Sequence, residues 1–150
     1  MNNPEREIEL RLVKVQETGF YMNSSLLEKN DELKLNNLSI KFGINLIPDL
    51  SQNKLDLKVI VRYLLDDNEE KKVLELETSN IFEILNIKDI VTIREDMIID
   101  TSGITPTLVG VAIGTLRGIL FTKTVGTALS EYPLPIINPV LLCNALLKEK

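Results

Sequence analysis

The sequence of 150 residues contains no histidine and no tryptophan, and it has a single cysteine, Cys143. Without histidine the chain cannot form a Ser-His-Asp triad, a Cys-His pair or a histidine-ligated zinc site. One cysteine cannot form an intrachain disulfide or a thiolate metal site. Aromatic residues make up only 5% of the chain. We therefore expect a core of leucine, isoleucine and valine, and no metal.

Excess positive charge is also absent, since the formal net charge is −5 and the pI is about 4.9. No basic patch is visible, so binding to nucleic acid is not expected. The N-terminus is polar and acidic, unlike a secretory signal. The longest apolar stretch, Leu108–Phe121, contains Arg117 and is shorter than the roughly 18–20 residues of a membrane span. We expect a cytoplasmic protein with no segment inserted in a membrane.

The charges that are present are distributed unevenly. Residues 1–105 contain 13 Lys/Arg and 20 Asp/Glu, whereas residues 106–150 contain 4 and 2. The last third is apolar and rich in glycine and proline. One domain over residues 1–150 with two chemically different layers accounts for this division, because no Ser/Gly linker separates the two parts.

Alternation of apolar and polar residues predicts four strands in the first two-thirds of the chain. The apolar residues recur at every second position, as in a strand with one buried face. The four stretches begin at Ile8, Leu38, Leu55 and Val73. The alternation changes phase after Leu12, which predicts a β-bulge there. Short connections between the strands indicate antiparallel neighbours.

Two polar segments separate these strands. We interpret Met22–Asn36 as a loop, with one helical turn as an option, and Asp66–Glu70 as a turn. The polar face of the sheet, with Lys58, Arg62 and Glu75, is expected to face water, whereas the apolar face needs a cover.

The last third predicts two helices joined by a rigid linker. Apolar spacings of three and four indicate a helix from Thr107 to about Lys123, with Pro106 in its first turn. The prolines of Tyr132–Pro135 exclude regular helix and predict an extended linker. Asn138 then suits the N-cap of a short apolar helix.

Gly110, Gly114 and Gly118 lie four residues apart on the long helix. Each costs about 1 kcal/mol relative to alanine, so we expect another backbone to approach closely along this stripe. Our hypothesis places the helix between the sheet and another subunit, with these glycines and Arg117 at the oligomer interface. The alternative is a core helix within one chain. Arg117 is interpreted either as binding a carboxylate or the carbonyl end of a helix within the chain, or as orienting a partner.

The chain resembles the SecB-like family of protein-export chaperones, and three segments carry the resemblance. Ile81–Ile84 is similar to the family's Ile/Val-Phe-x-Ile segment, and Ile104–Pro106 is similar to its helix entry. Leu134–Leu142 is similar to its proline-rich linker and short C-terminal helix. In addition, Gly114–Leu120 is similar to divergent, non-proteobacterial members. Strand order and loop placement agree with the family across roughly residues 8–147.

The resemblance implies an α+β fold: a four-stranded antiparallel sheet with one long and one short C-terminal helix packed on one face. It implies a homotetramer, built as a dimer of dimers, that holds unfolded polypeptides in apolar grooves and has no cofactor. The expected function is that of a holdase that keeps preproteins competent for export, and not that of an enzyme. Apolar groove walls bind by area, and several grooves on one tetramer raise the avidity.

The resemblance also implies that acidic residues on the outer sheet face bind the SecA translocase motor. Glu17 and Glu75 fall at two such positions, whereas Tyr21 stands at a third and departs from the pattern. This departure puts binding of the motor in doubt.

Client polypeptides are expected to contact apolar residues near the sheet edge and the proline linker: Phe42, Ile44, Phe82, Leu134 and Ile136. The alternative for these residues is ordinary core.

Two functions other than that of a general holdase stay open at this point. The chain is either a general holdase or a dedicated chaperone or adaptor for one partner, such as an antitoxin or an assembly subunit. An enzyme or ligand carrier is a third hypothesis, which requires a buried pocket with convergent polar groups.

Overall fold

The computed structural model describes residues 8–29, 37–95 and 97–147. The elements run along the chain in this order: β1 (Leu10–Met22), α1 (Ser24–Lys29), β2 (Leu38–Asp49), β3 (Lys54–Leu65), β4 (Lys72–Ile84), α2 (Ile87–Ile90), β5 (Val91–Arg94), β6 (Met97–Asp100), α3 (Thr105–Thr124) and α4 (Pro139–Leu146). Single 3-10 turns cover Leu50–Gln52, Glu69–Lys71 and Ala128–Glu131. The chain therefore has the α+β class expected from its sequence. Of the predicted loop Met22–Asn36, α1 takes the first part, and residues 30–36 lie outside the described residues.

The main sheet has four antiparallel strands in the order β1-β4-β3-β2. The pairing of β1 with β4 shifts register between Leu12 and Lys14 and again between Glu17 and Gly19. The first shift is the bulge that the sequence predicts. Each bulge moves the side chains that follow it to the opposite face of the sheet. We call the face that α3 covers the inner face, and the opposite face the outer face.

The core lies between α3 and the inner faces of β3 and β4. Leu57 and Val61 on β3 and Leu76 and Phe82 on β4 are fully buried. From α3, seven residues are buried: Leu108, Val109, Ala112, Ile113, Leu116, Leu120 and Thr124. Burial of each large apolar side chain contributes about 1.5–3 kcal/mol, so this layer pair holds the fold together.

A polar group lies at the centre of this core. Asn80 on β4 is fully buried, and its Nδ2 donates to the carbonyl oxygen of Leu57 at 3.1 Å and to Thr78 Oγ1 at 3.4 Å. Its Oδ1 accepts a hydrogen bond from Thr115 Oγ1 of α3 at 2.7 Å. A buried amide left unpaired costs about 1–3 kcal/mol, so this network fixes the position of α3 along the sheet.

Asp100 sets the start of α3. Its Oδ2 accepts hydrogen bonds from the backbone N and the Oγ1 of Thr105, both at 2.8 Å, and its Oδ1 accepts from the backbone N of Ser102 and Gly103. Burial raises the pKa of the Asp100 carboxyl, but the hydrogen bonds outweigh it and hold the pKa below its ordinary value. The helix ends before Gly126, whose φ of 80° takes the left-handed conformation that favours glycine.

By length and composition alone, the 20 residues of α3 are long and apolar enough to cross a membrane. The core helix of a globular domain meets the same criterion, and the inner side of α3 is buried against the sheet.

The crossover loop, residues 125–138, joins α3 to α4 and is fastened at two points. Arg117 donates to the carbonyl oxygens of Leu134 and Pro135, the latter at 3.1 Å. Tyr63 Oη donates to the carbonyl oxygen of Tyr132 at 2.8 Å, and burial raises the pKa of Tyr63 to about 12. The predicted rigid linker thus lies against the domain through its backbone.

The β5–β6 hairpin is an element that the sequence analysis does not predict. Its two strands pair only with each other, and Glu95 adopts a φ of 50° at the turn. The side chains of Ile93 and Met97 are 47% and 41% exposed. The hairpin contributes Val91 and Ile98 to the core and leaves the two exposed side chains in water.

Candidate functional site

The most exposed apolar side chains of the helical layer lie on α3, on the crossover loop and on α4. Phe121 is 68% exposed and Val125 62%, while Ile136 is fully exposed. Val140 and Leu141 at the start of α4 are 51% and 65% exposed. We call these five residues the exposed helical patch. Their combined apolar area is the chemical feature that most distinguishes this layer.

The composition of α4 explains why part of the patch faces water. The helix reads PVLLCNAL and is apolar nearly all round, but Cys143 is its one buried residue. It rests on α3 through its first turn, where a Cβ added at Gly110 would lie 3.3 Å from Pro139 Cγ. A short helix can bury one side on α3 only, so the remaining apolar side chains stay exposed.

A cavity of about 400 Å³ lies between α3 and the crossover loop. Gly114 and Gly118 form part of one wall, and Phe121, Tyr132 and Leu134 contribute apolar surface. The glycines make room here because no heavy atom lies within 4 Å of a Cβ built on either of them. The cavity is large enough for an apolar side chain of a bound segment.

Few charged groups belong to this layer. Between residues 101 and 147 the charged side chains are Arg117, Lys123 and Glu131. Arg117 is bound to loop carbonyls, and Lys123 Nζ lies 3.0 Å from Glu17 Oε2 and 4.8 Å from the ring centre of Phe20. Both cations are therefore engaged within the chain, which leaves the patch without a free positive charge.

The predicted oligomer interface divides into two parts. Gly110 is covered by Pro139 of the same chain. The guanidinium of Arg117 binds carbonyl oxygens of the crossover loop, whereas the sequence predicts a carboxylate or the carbonyl end of a helix. Gly114 and Gly118 are exposed, and among the described residues no neighbouring element comes within 4 Å of a Cβ built on either glycine. An interface at these two glycines stays a prediction.

The predicted client-binding residues also divide. Phe82 is fully buried and Leu134 is 3% exposed, so the prediction that they contact clients is wrong: both belong to the core, against α3 and the sheet. Phe42 and Ile44 are half-buried on the inner face of β2, and Ile136 is fully exposed. These three are accessible to a partner.

The two predicted motor-docking carboxylates lie on opposite faces of the sheet, which corrects the expectation of one acidic surface. Glu17 pairs in register with buried Thr78 and belongs to the inner face, where Lys123 binds it. Glu75 is on the outer face and pairs with Lys72 at 2.6 Å and Arg62 at 3.2 Å. The hydrogen bond from Lys72 lowers the pKa of Glu75, partial burial opposes it, and Arg62 adds to the lowering.

Sequence reasoning missed most of the exposed helical patch. Phe121 and Val125 follow Gly118 at spacings of three and seven, so they continue the glycine stripe on the outside of α3. That spacing, and the absence of a polar side on α4, were signals that could have identified the patch. It also missed that β1 is exposed along both faces, as its side chains Val13, Val15 and Tyr21 show.

The groups needed for catalysis do not converge in the described part of the chain. Among these residues no group of three or more His, Cys, Asp or Glu could hold a metal ion. Burial, with a smaller effect of Asp100, raises the pKa of Cys143, which keeps the thiol protonated. A depression of about 520 Å³ beside α2 includes Asp89 and Thr101, but the Thr101 hydroxyl donates to the carbonyl of Ile90.

Two solved structures are similar to this chain at a low level. A SecB-like chaperone from Mycobacterium tuberculosis, in complex with a peptide from an antitoxin, gives a TM-score of 0.43 at 13% identity, covering 87% of this chain and 88% of that one. A protein of unknown function from Streptococcus agalactiae gives 0.30 at 12%, covering 87% and 98%. No family model and no curated protein matches the chain. At such low TM-scores, these likenesses carry no argument, and function is argued from the surface itself.

Proposed function

We propose that this chain is a chaperone that binds extended, non-native polypeptides through the exposed helical patch. The observation that carries the proposal is the set of five large apolar side chains, each at least half exposed, on a layer whose two described cations are both engaged within the chain. Folded soluble chains rarely expose large apolar patches without a partner. A second apolar surface that covers the patch is stabilised by about 25 cal/mol per Å² removed from water.

The patch suits a client that has lost its fold. An unfolded segment exposes apolar side chains at short intervals, and it can follow α3, the crossover loop and α4 in turn. The cavity beside Gly114 and Gly118 accepts one of its larger side chains. Because area and not a fixed set of hydrogen bonds supplies the free energy, many client sequences should bind.

The same face also suits self-assembly. Gly114 and Gly118 allow a second α3 to approach closely, because their Cβ positions are open. A homotetramer, the assembly that the sequence resemblance implies, would present several patches to one client and raise the avidity. Gly114 and Gly118 also line the cavity, so a second α3 packed on them would compete with a client for that cavity. An assembled chain would then bind clients through the end of α3, the loop and α4.

A role for one dedicated partner is the second candidate, and the cavity is the observation that favours it. A site of about 400 Å³ bounded by Phe121 and Tyr132 can select one shape of side chain, as a flat patch cannot. Binding of the SecA motor is not part of the proposal, because Glu17 and Glu75 lie on opposite faces. In either role the chain would act on polypeptides in the cytoplasm.

The test compares one slow-folding preprotein in its unfolded and native forms. Binding is followed by fluorescence anisotropy and aggregation by light scattering. We expect the unfolded form to bind at least about tenfold more tightly, a difference of about 1.4 kcal/mol. Aggregation should be suppressed at a molar ratio of chaperone to client below one. Equal binding of the two forms would contradict the proposal.

Variants then locate the binding surface. The double variant Phe121→Asp with Leu141→Asp places two charges in the patch and should abolish binding of the unfolded client. Ile93→Asp, on the exposed side of the β5–β6 hairpin, is the matched control, since Ile93 is 47% exposed but lies outside the patch. Circular dichroism spectra show whether each variant is folded. Loss of binding in the control, with the fold retained, would mean that the surface has been misplaced.

A further inference from the structure

The outer sheet face has a charge opposite to that of the chain. Seven basic side chains point to this face, three from β3, two from β1 and one each from β2 and β4, against five carboxylates. Its balance is therefore +2, although the chain as a whole is −5. An acidic protein thus presents one moderately basic surface, and the remaining surface carries all of the negative excess.

The carboxylates of this face are already satisfied within the chain. Two of them form ion pairs with cations of the same face, at distances between 2.6 and 3.3 Å. The other three accept hydrogen bonds from serine or threonine hydroxyls at 2.6 to 2.8 Å. By contrast, Lys14 and Lys58 have neither an ion pair nor a hydrogen bond to any residue that the structure describes.

Lys58 borders a depression of about 440 Å³ in the outer sheet face. Ile60 provides the apolar floor: its Cγ2 leans over Gly43, only 2.7 Å from the position that a Cβ would take there. Lys58 and Arg62 stand on either side of Ile60 along β3, and Glu77, which also lines the depression, is bound by Thr18. Lys14 lies two strands away, roughly 10 Å across the sheet.

We propose that the outer sheet face binds an acidic polypeptide segment. One carboxylate of the segment pairs with Lys58, and a second reaches Lys14 on one side of it. An apolar side chain of the segment, on the other side of Lys58, rests on Ile60 above Gly43. The negative excess elsewhere on the chain repels such a segment and directs it to this face. This interaction is independent of the exposed helical patch, since it uses the opposite face of the sheet and a partner defined by charge.

The test measures binding of three fluorescent probes by anisotropy. They are a short disordered peptide rich in glutamate with one central leucine, the same peptide with lysine in place of glutamate, and a single-stranded oligonucleotide. The acidic peptide should bind at about 50 mM salt and weaken about tenfold at about 300 mM, because exposed ion pairs are screened. The double variant Lys14→Glu with Lys58→Glu should abolish this binding.

Matched variants complete the design. Lys88→Glu on α2 introduces the same charge change at an exposed lysine away from the outer face and should leave binding unchanged. The neutral pair Lys14→Gln with Lys58→Gln should weaken it about tenfold.

Equal binding of the acidic and basic peptides, or undiminished binding by the charge-reversed variant, overturns the proposal. Oligonucleotide binding that the charge-reversed variant loses would overturn it in favour of a nucleic-acid site. Binding of an unfolded client through the helical patch should be the same in all these variants.

Discussion

The outer sheet face and the exposed helical patch differ in how their charged groups are paired. On the outer face every carboxylate has a partner, whereas Lys14 and Lys58 have neither an ion pair nor a hydrogen bond in the described structure. On the helical layer, Arg117 binds the crossover loop and Lys123 binds Glu17, and the most exposed side chains are apolar. The first surface is stable in water without a partner, whereas the second gains free energy only when something covers it.

This difference teaches that burial within one chain does not identify the working surface. The sheet and α3 share a core that is complete, with no buried side-chain N or O atom unpaired in the described structure. The exposed apolar residues lie on α4 and on the outer side of α3, away from the core that α3 shares with the sheet. The following variants test this difference between the two surfaces, in order of decreasing expected effect.

Phe82→Ala should have the largest effect, because Phe82 is fully buried between the sheet and α3. We expect a loss of about 3–5 kcal/mol in the free energy of unfolding, from the lost transfer free energy and the cavity left behind. Phe121→Ala, with Phe121 68% exposed, should change stability by less than about 0.5 kcal/mol. Urea denaturation of both variants measures the contrast. Similar losses for both would mean that the patch belongs to the core.

Arg117→Met should come next, because it removes both hydrogen bonds from the guanidinium to the crossover loop. Hydrogen bonds from charged groups contribute about 1.5–3 kcal/mol, so we expect a loss of that order and faster proteolysis within residues 125–138. Lys123→Met, which removes the other cation of α3, is the control for charge. A loop equally resistant to protease in both variants would contradict the anchoring role.

Asp100→Asn should cost about 1 kcal/mol at neutral pH, because the carboxylate accepts the hydrogen bonds that start α3. The pKa of Asp100 is lowered in the folded chain, so the folded state favours the ionised carboxylate. Its contribution is therefore complete above the ordinary value of 3.8 and is lost as the pH falls through the lowered pKa. Thermal unfolding of both proteins from pH 7 to pH 3 should show the two stabilities converging at acid pH. A constant difference would show that the charge is irrelevant.

Gly114→Ala should act in opposite directions on the monomer and on an assembly. No atom lies within 4 Å of the added Cβ, so a mid-helix alanine should stabilise the monomer by up to about 1 kcal/mol. If a second α3 packs on this stripe, the same methyl group should weaken the oligomer, as sedimentation at several concentrations would show. Gly103→Ala is a useful contrast, because its φ of 74° makes alanine unfavourable whatever the space.

Glu75→Gln should have the smallest effect, less than about 1 kcal/mol, because its ion pairs with Arg62 and Lys72 lie at the surface. The lowered pKa of Glu75 means that this contribution, too, disappears as the pH falls through that pKa. Denaturation at low and at high salt should show the effect shrinking as screening increases. A salt-independent loss of several kcal/mol would place Glu75 in the core.

Much of the sheet could be predicted from the sequence because half-buried strands impose a period of two. Alternation located β2, β3 and β4, and the phase change after Leu12 located the first bulge of β1. The same phase change also determines the face of the sheet on which Glu17 lies. Once Val15 shares the inner face, Glu17 must share it too, so its position on the outer face was already excluded.

Other features could not be predicted because they depend on distant contacts. Val91–Arg94 and Met97–Asp100 are short and pair only with each other, so alternation gives little signal. Leu134 is buried because Arg117 and Tyr63 donate hydrogen bonds to the crossover loop and hold it against the domain. The proline pattern of the loop does not indicate these contacts. Likewise, a period of four shows that three glycines share a stripe, but not that Pro139 covers Gly110 alone.

The crossover loop is hydrogen-bonded to the domain through its main chain, whereas its exposed side chains take no part in these hydrogen bonds. Arg117 and Tyr63 hold it only through the main-chain oxygens of Tyr132, Leu134 and Pro135, which every residue type possesses. Exposed side chains such as Ile136 can therefore be exchanged without unfastening the segment. Under the proposed function, the loop is thus a position where natural variation, or a designed library, would change which polypeptides are bound while the scaffold beneath stays the same.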